Sequence, residues 1–294
     1  MPASLSTLQG TLLAWGEEVR RDLPWRRTRD PWPVLVSELM LQQTQVARVA
    51  PRYRVFLERF STPAACAASP VGGVVRAWSG LGYNRRAVHL HAVATAAVER
   101  FGGDLPATLA ELRTLPGVGP YTARAVLAFA HEADVGVLDT NAARVLARAV
   151  AGRRLAGAEA QALADAVVPA GEGWAWNQAV LDLGATVCTR RSPRCDRCPL
   201  PGVDACAWAR AGHAGADPAE GSAGVGRRQS SFAGSERQGR GRLVDALRAG
   251  PVDAASLPGA CGWPGEAARA RQVAAALVTD GLAVQDEAGS LRLP

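Results

Sequence analysis

Four cysteines crowd into fewer than twenty residues, as Cys188-x6-Cys195-x2-Cys198-x7-Cys206. A segment so spaced can wrap one tetrahedral ion or one iron–sulfur cluster, and either would fix a closed loop in the fold. Zinc ribbons usually pair two C-x2-C knuckles, and only one is present. The long–short–long spacing therefore favours a cubane cluster, with zinc as the alternative. Cys66 and Cys261 stand alone. The sequence shows no secretory leader and no apolar run of about 18 residues, so a reducing, cytoplasmic compartment is expected, with no membrane partner. There, clustered thiols bind metal rather than form disulfides. Arg190, Arg191, Arg194 and Arg197 lie inside the loop and suit phosphate contact.

The preceding 187 residues carry apolar side chains at helical spacing and lack the alternation of strands. Helices are expected over residues 1–21, 34–46, 86–98, 121–131, 141–151, 158–168 and 174–187, separated by short Gly/Pro segments. Residues 211–238 are rich in Gly, Ala and Ser and predict a flexible linker. Beyond them, helices are expected at 242–248 and 266–280. Residues 282–285 and 290–293 flank a turn and predict a hairpin, so residues 239–294 suggest a small winged-helix-like module.

All 33 basic residues are Arg, and the net charge is +6. The balance points to an anionic partner. With no Lys, no side-chain amine can form a Schiff base.

Leu115, Pro116, Gly117, Val118 and Gly119 lie between two helical patterns. The glycines allow a tight turn with exposed N–H groups, and the next helix adds the positive end of its dipole. Together these make a phosphate clamp without base preference. Twenty residues on, Asp139 precedes Thr140 and Asn141. An aspartate there caps a helix or serves a site.

In this setting the sequence resembles the helix–hairpin–helix base-excision DNA glycosylases, and within them the MutY-type adenine glycosylases, over residues 5–210. The ordered motifs are Leu23-Pro24-Trp25-Arg26, then Ser37-Glu38-Leu39-Met40-Leu41-Gln42-Gln43-Thr44-Gln45-Val46, then Gly80-Leu81-Gly82-Tyr83. The hairpin, Asp139 with Asn141, Trp176-Asn177-Gln178 through Gly184 and the cysteine loop follow. The resemblance implies an all-α, two-lobed fold with DNA between the lobes. Residues 30–138 would form a helical barrel lobe, and 1–29 with 139–210 a lobe holding a [4Fe–4S] cluster on Cys188, Cys195, Cys198 and Cys206.

It also implies roles. Glu38 would protonate the departing adenine, because adenine leaves poorly until a ring nitrogen is protonated. Asp139, with Asn141 beside it, would stabilise the oxocarbenium-like sugar. Tyr121 stands where lyase-active relatives carry a catalytic Lys, which predicts base release without prompt strand cleavage. Gln42, Gln43, Thr44 and Tyr83 would meet the DNA near the vacated base position, Trp25 and Arg26 would wall the adenine pocket, and Leu115, Gly117, Val118 and Gly119 would hold phosphate. The expected partner is double-stranded DNA with a mismatch or oxidised guanine, bound by a monomer. A thymine or uracil glycosylase acting opposite guanine is the alternative on the same scaffold, and a non-catalytic iron–sulfur DNA-binding protein is another.

Three features depart from that pattern. The last cysteine gap is x7 where x5 is usual. Asn84 replaces a second Tyr. The C-terminal module is too short for the Nudix-like domain of well-known members, so lesion reading is expected to differ.

Overall fold

A computed structural model describes residues 5–201, 204–225 and 231–294. In chain order its helices are α1 (Leu5–Val19), α2 (Pro31–Leu41), α3 (Val46–Arg59), α4 (Pro63–Ala67), α5 (Val71–Ala77), α6 (Arg85–Phe101), α7 (Leu109–Leu112), α8 (Pro120–Ala130) and α9 (Thr140–Val145). There follow α10 (Gly157–Ala166), α11 (Gly173–Thr186), α12 (Ala207–Arg210), α13 (Glu236–Ala249), α14 (Leu257–Cys261) and α15 (Ala267–Thr279). Strands β1 (Val284–Gln285) and β2 (Leu291–Arg292) pair antiparallel, with Val284 opposite Arg292. The helical expectation for the first 187 residues is met, and the C-terminal hairpin forms as predicted. Among the described residues no helix is long and apolar enough to cross a membrane.

The chain divides into two compact units. The first joins residues 1–31 to 119–228, and the second joins 32–118 to 229–294. In the first unit, α1 lies along α11, where Gly16 abuts Ala179 so closely that an added Cβ would sit 2.6 Å from the Ala179 Cβ. Leu8, Leu12, Val145, Leu146, Trp176, Val180 and Leu183 build its core. In the second unit, Leu35, Leu39, Met40, Phe56, Phe60, Trp78 and Leu90 are buried. The Trp78 ring stands edge-on to Phe56 at 5.8 Å.

Four expectations are corrected. The helix expected over residues 34–46 ends at Leu41. Gln43 takes a positive φ of 55°, which no α-helix tolerates, and a second helix, unforeseen, starts at Val46. The expected lobe boundary near residue 138 lies instead near 119. The chain beyond it is tied into the first unit, with Asp165 Oδ1 accepting from Gly136 N at 2.8 Å and Asn177 Oδ1 from Val137 N at 2.8 Å.

The predicted linker is not slack over residues 211–225. Asp217 receives Arg148 Nε at 2.8 Å, and Ser222 and Ala223 exchange hydrogen bonds with Leu155. Small residues there allow close packing rather than freedom. Residues 226–230 of that stretch, like residues 1–4 of the first helix, lie outside the described residues. Finally, the helix expected at 242–248 starts earlier, at Glu236, because Ser235 caps it by accepting from Gln238 N.

Candidate active site

In the second unit, Glu38 sits in the third turn of α2 and is 5% exposed among Leu35, Leu39 and Met40, which are fully buried. The turn that follows holds Gln42, Gln43 and Thr44. Thr44 Oγ1 lies 3.3 Å from the carbonyls of Gln42 and Leu81.

The residue that organises this region is Arg86, which the motifs did not single out. Its guanidinium donates to the carbonyls of Leu39 at 2.7 Å, Met40 at 2.8 Å and Gln42 at 2.6 Å, the open C-terminal end of α2. It also donates to Thr44 Oγ1 at 3.0 Å and to the carbonyls of Leu81 and Gly82 at 3.3 and 2.9 Å. Helix carbonyl dipoles offset the charge of the cation. Burial still lowers its pKa to about 10.

One signal for Arg86 was in the sequence. It shares the buried stripe of α6 with Leu90, Val93 and Ala97, where a charged residue must find partners. Tyr83, on the turn Arg86 secures, has φ 45° and is 41% exposed. Such strain in a non-glycine residue gathers at functional positions.

The hairpin forms as expected. Leu115 and Val118 are buried, with Val118 N bonded to the Leu115 carbonyl at 3.2 Å. Gly117 has φ 73° and rests against the His89 ring, leaving no room for a side chain.

In the first unit, Gly119 caps α8, and Tyr121 is half-buried in its first turn. Asp139 is the N-cap of α9. Its Oδ1 accepts from Asn141 N at 2.8 Å and Ala142 N at 2.7 Å, and its Oδ2 from Asn141 Nδ2 at 2.8 Å. The cap and the candidate catalytic carboxylate are thus one group. Although the residue as a whole is half-buried, its carboxyl is enclosed deeply enough that desolvation raises its pKa against these donors and against Arg144.

The network continues outward. Arg144 Nη2 donates to Asn141 Oδ1 at 2.8 Å and to the Gly184 carbonyl at 2.6 Å, while its Nε reaches the Cys188 carbonyl at 3.1 Å. Gly184 lies directly under Asn141, where a Cβ added to the glycine would sit 2.7 Å from the Asn141 Cβ. Asp139 and the start of the cysteine loop are therefore two arms of one hydrogen-bonded frame.

Trp25 and Arg26 are both buried. Arg26 has a partner that the motifs did not announce. Its fork grips Asp182, Nη1 to Oδ2 at 2.7 Å and Nη2 to Oδ1 at 2.8 Å. Against the desolvation of burial, that fork and Arg21 hold the Asp182 carboxyl below the usual range. With Nη1 also donating to the Arg21 carbonyl at 3.2 Å, a guanidinium so committed packs the unit.

Cys188, Cys195, Cys198 and Cys206 line one cavity together with Arg148, Leu200 and Trp208. Arg148 Nη1 points at Cys188 Sγ from 3.4 Å. The Trp208 indole N–H is buried there without a hydrogen-bond partner. An orphaned donor on a sulfur-lined cavity fits an acceptor such as cluster sulfide. Among the described residues no three His, Cys, Asp or Glu side chains are gathered as for a single metal ion.

Residues 36–169 match the family model for HhH-GPD superfamily base excision DNA repair proteins. The adenine DNA glycosylase of Mycobacterium tuberculosis is 44% identical over 96% of this chain and 92% of its own length. That of Mycolicibacterium smegmatis is 42% identical over 96% and 94%. The human adenine DNA glycosylase is 39% identical over 67% of this chain and 39% of its own. Among solved structures, a thermostable thymine-DNA glycosylase superposes with a TM-score of 0.64 at 27% identity, covering 70% of this chain and 97% of the other. An endonuclease III in a trapped DNA complex gives 0.60 at 22% identity, a likeness of fold. The chain belongs to the helix–hairpin–helix base-excision DNA repair glycosylases. Within them it stands with the MutY-type adenine DNA glycosylases.

Proposed function

We propose that this chain hydrolyses the N-glycosidic bond of adenine mispaired with 8-oxoguanine or guanine in double-stranded DNA. The observation that carries the reading is the enclosed Asp139 carboxylate, oriented by three donors on α9, in a chain 44% identical to adenine glycosylases. A base inside the stack cannot reach such a group, so the target nucleotide is turned out of the duplex.

Glu38 protonates a ring nitrogen of adenine and makes it a leaving group. Asp139, ionised, lowers the energy of the cationic sugar as the bond breaks, and water completes the hydrolysis. Tyr121, in the first turn of α8, cannot form an imine. With no Lys in the chain, no strand-cleaving Schiff base forms on a side chain. The hairpin of Leu115, Gly117, Val118 and Gly119 holds backbone phosphate through its N–H groups, and Gln42, Gln43, Thr44 and Tyr83 contact the nucleotides around the vacated position.

The four loop cysteines hold a [4Fe–4S] cluster, a reading supported by their shared cavity and the Trp208 donor. When bound it would tie Cys188, Cys195, Cys198 and Cys206 covalently to one centre. Arg144 carries that fixation to Asn141 and Asp139 through its bonds to both sides.

A panel of duplexes with one mispair each, treated with alkali after reaction, tests the proposal. Cleavage is expected opposite 8-oxoguanine and guanine when adenine is the partner. Cleavage confined to thymine or uracil opposite guanine would assign the thymine-type reaction instead.

A further inference from the structure

Helix α13 of the C-terminal module is joined to the Tyr83–Asn84 turn by two arginines of its own. Arg248 donates to Asn84 Oδ1 at 2.7 Å and to the Val75 carbonyl at 3.1 Å. Asn84 is 9% exposed, so its amide oxygen is a buried acceptor that this guanidinium satisfies. Eleven residues earlier, three turns along the same side of the helix, Arg237 Nη1 reaches within 3.5 Å of the Tyr83 hydroxyl.

The module is seated by further contacts. Gly72 N donates to the carbonyl of Pro294 at 2.9 Å, and a Cβ on Gly72 would stand 3.0 Å from Leu293 Cβ. Asp280 pairs with Arg85 at 3.4 Å and with Arg240 at 2.5 Å. Helix α5, the turn and the first residues of α6 are thus covered by residues 237–294, while the Tyr83 ring remains open to solvent.

An exposed aromatic on strained backbone, with a guanidinium at its edge, has the chemistry to stack on an unstacked base and pair with the adjoining phosphate. Asn84, by contrast, points into protein. It cannot serve as a second stacking group, and its task is to receive Arg248.

We propose that the C-terminal module takes part in reading the duplex: Arg248, acting through Asn84, is a positioning residue for the Tyr83 ring, and Arg237 is a phosphate contact beside it. The proposal rests on the glycosylase reading above.

The test uses the full chain and measures single-turnover base release and duplex affinity on mispaired and matched DNA. Arg248→Ala is expected to lower the preference for the mispair about tenfold, the weight of one charge-assisted hydrogen bond, and Arg248→Lys to restore part of it. Asn84→Ala removes the acceptor without removing the arginine, and is expected to lower the preference by the same factor, with no further loss in the double variant. Arg237→Ala is expected to weaken binding to every duplex alike and to reduce the salt dependence of affinity by about one phosphate contact.

Equal losses on matched and mispaired DNA that merely follow thermal destabilisation would reduce Arg248 to a brace and overturn its assignment. An unchanged salt slope would overturn that of Arg237. If the unmodified chain releases no base from any duplex, the glycosylase reading fails instead, and the salt slope still decides the Arg237 contact.

Discussion

Arg86 Nη1 donates to the carbonyl of Gln42 at 2.6 Å and also holds those of Leu39 and Met40, while its Nη2 holds the carbonyls of Leu81 and Gly82. One buried cation thereby ends the helix carrying Glu38 and fixes the turn carrying Tyr83. Arg86→Ala would leave several buried carbonyls without donors, each a loss of about 1–3 kcal/mol when uncompensated. A destabilisation of about 3–5 kcal/mol is expected, measured by urea unfolding, together with loss of base release. Arg86→Lys keeps the charge but not the planar fork, and should fall between the two.

Asp139→Asn is expected to abolish base release and to raise stability. Asn caps a helix as well as Asp does, and it removes the cost of a desolvated charge. The pH dependence follows from the upward displacement of the Asp139 pKa. The fold favours the neutral carboxyl, so its contribution is present below the unfolded value and lost as pH rises through the folded one. The stability advantage of Asp139→Asn should therefore be absent in acid and open as pH rises through that window. Base release by the unmodified chain should climb over the same range, above the usual carboxylate titration.

Gly184→Ala tests the frame beneath Asp139. The new methyl would press on Asn141 from 2.7 Å. Overpacking of this kind costs about 1–3 kcal/mol. Base release should fall by more than the change in folded fraction, because Asn141 orients the Asp139 carboxylate.

The four-cysteine loop predicts an absorption band near roughly 400 nm from iron–sulfur charge transfer. Cys198→Ser should lose that band together with bound iron and lower the melting temperature. A colourless protein with stoichiometric zinc would contradict the cluster.

Much of this site was legible in the sequence because its signals are local. The hairpin needs only glycines before a helix, and the Asp139 cap needs only the three residues that follow it. The cysteine spacing likewise announces its loop. What stayed hidden depends on partners far along the chain. Arg26 finds Asp182 across 156 residues, and Arg248 finds Asn84 across 164. Neither pair leaves a periodicity or a motif. The end of α2 at Leu41 was missed for a related reason: residues 34–46 keep helical spacing, and the carbonyls that stop the helix are taken by an arginine 44 to 47 residues on. Residues 211–225 misled by composition, since small residues suit close packing as well as freedom.

Both carboxylate roles are tested at once by a single-turnover time course of adenine release from a duplex pairing adenine with 8-oxoguanine, comparing the unmodified chain, Asp139→Asn and Glu38→Gln. Alkali is added to one half of each sample and borohydride to the other. Alkali-dependent cleavage is expected from the unmodified chain alone, with both variants at least about a hundredfold slower and no trapped adduct. Equal rates in the three proteins, or a high yield of covalent adduct, would contradict this mechanism.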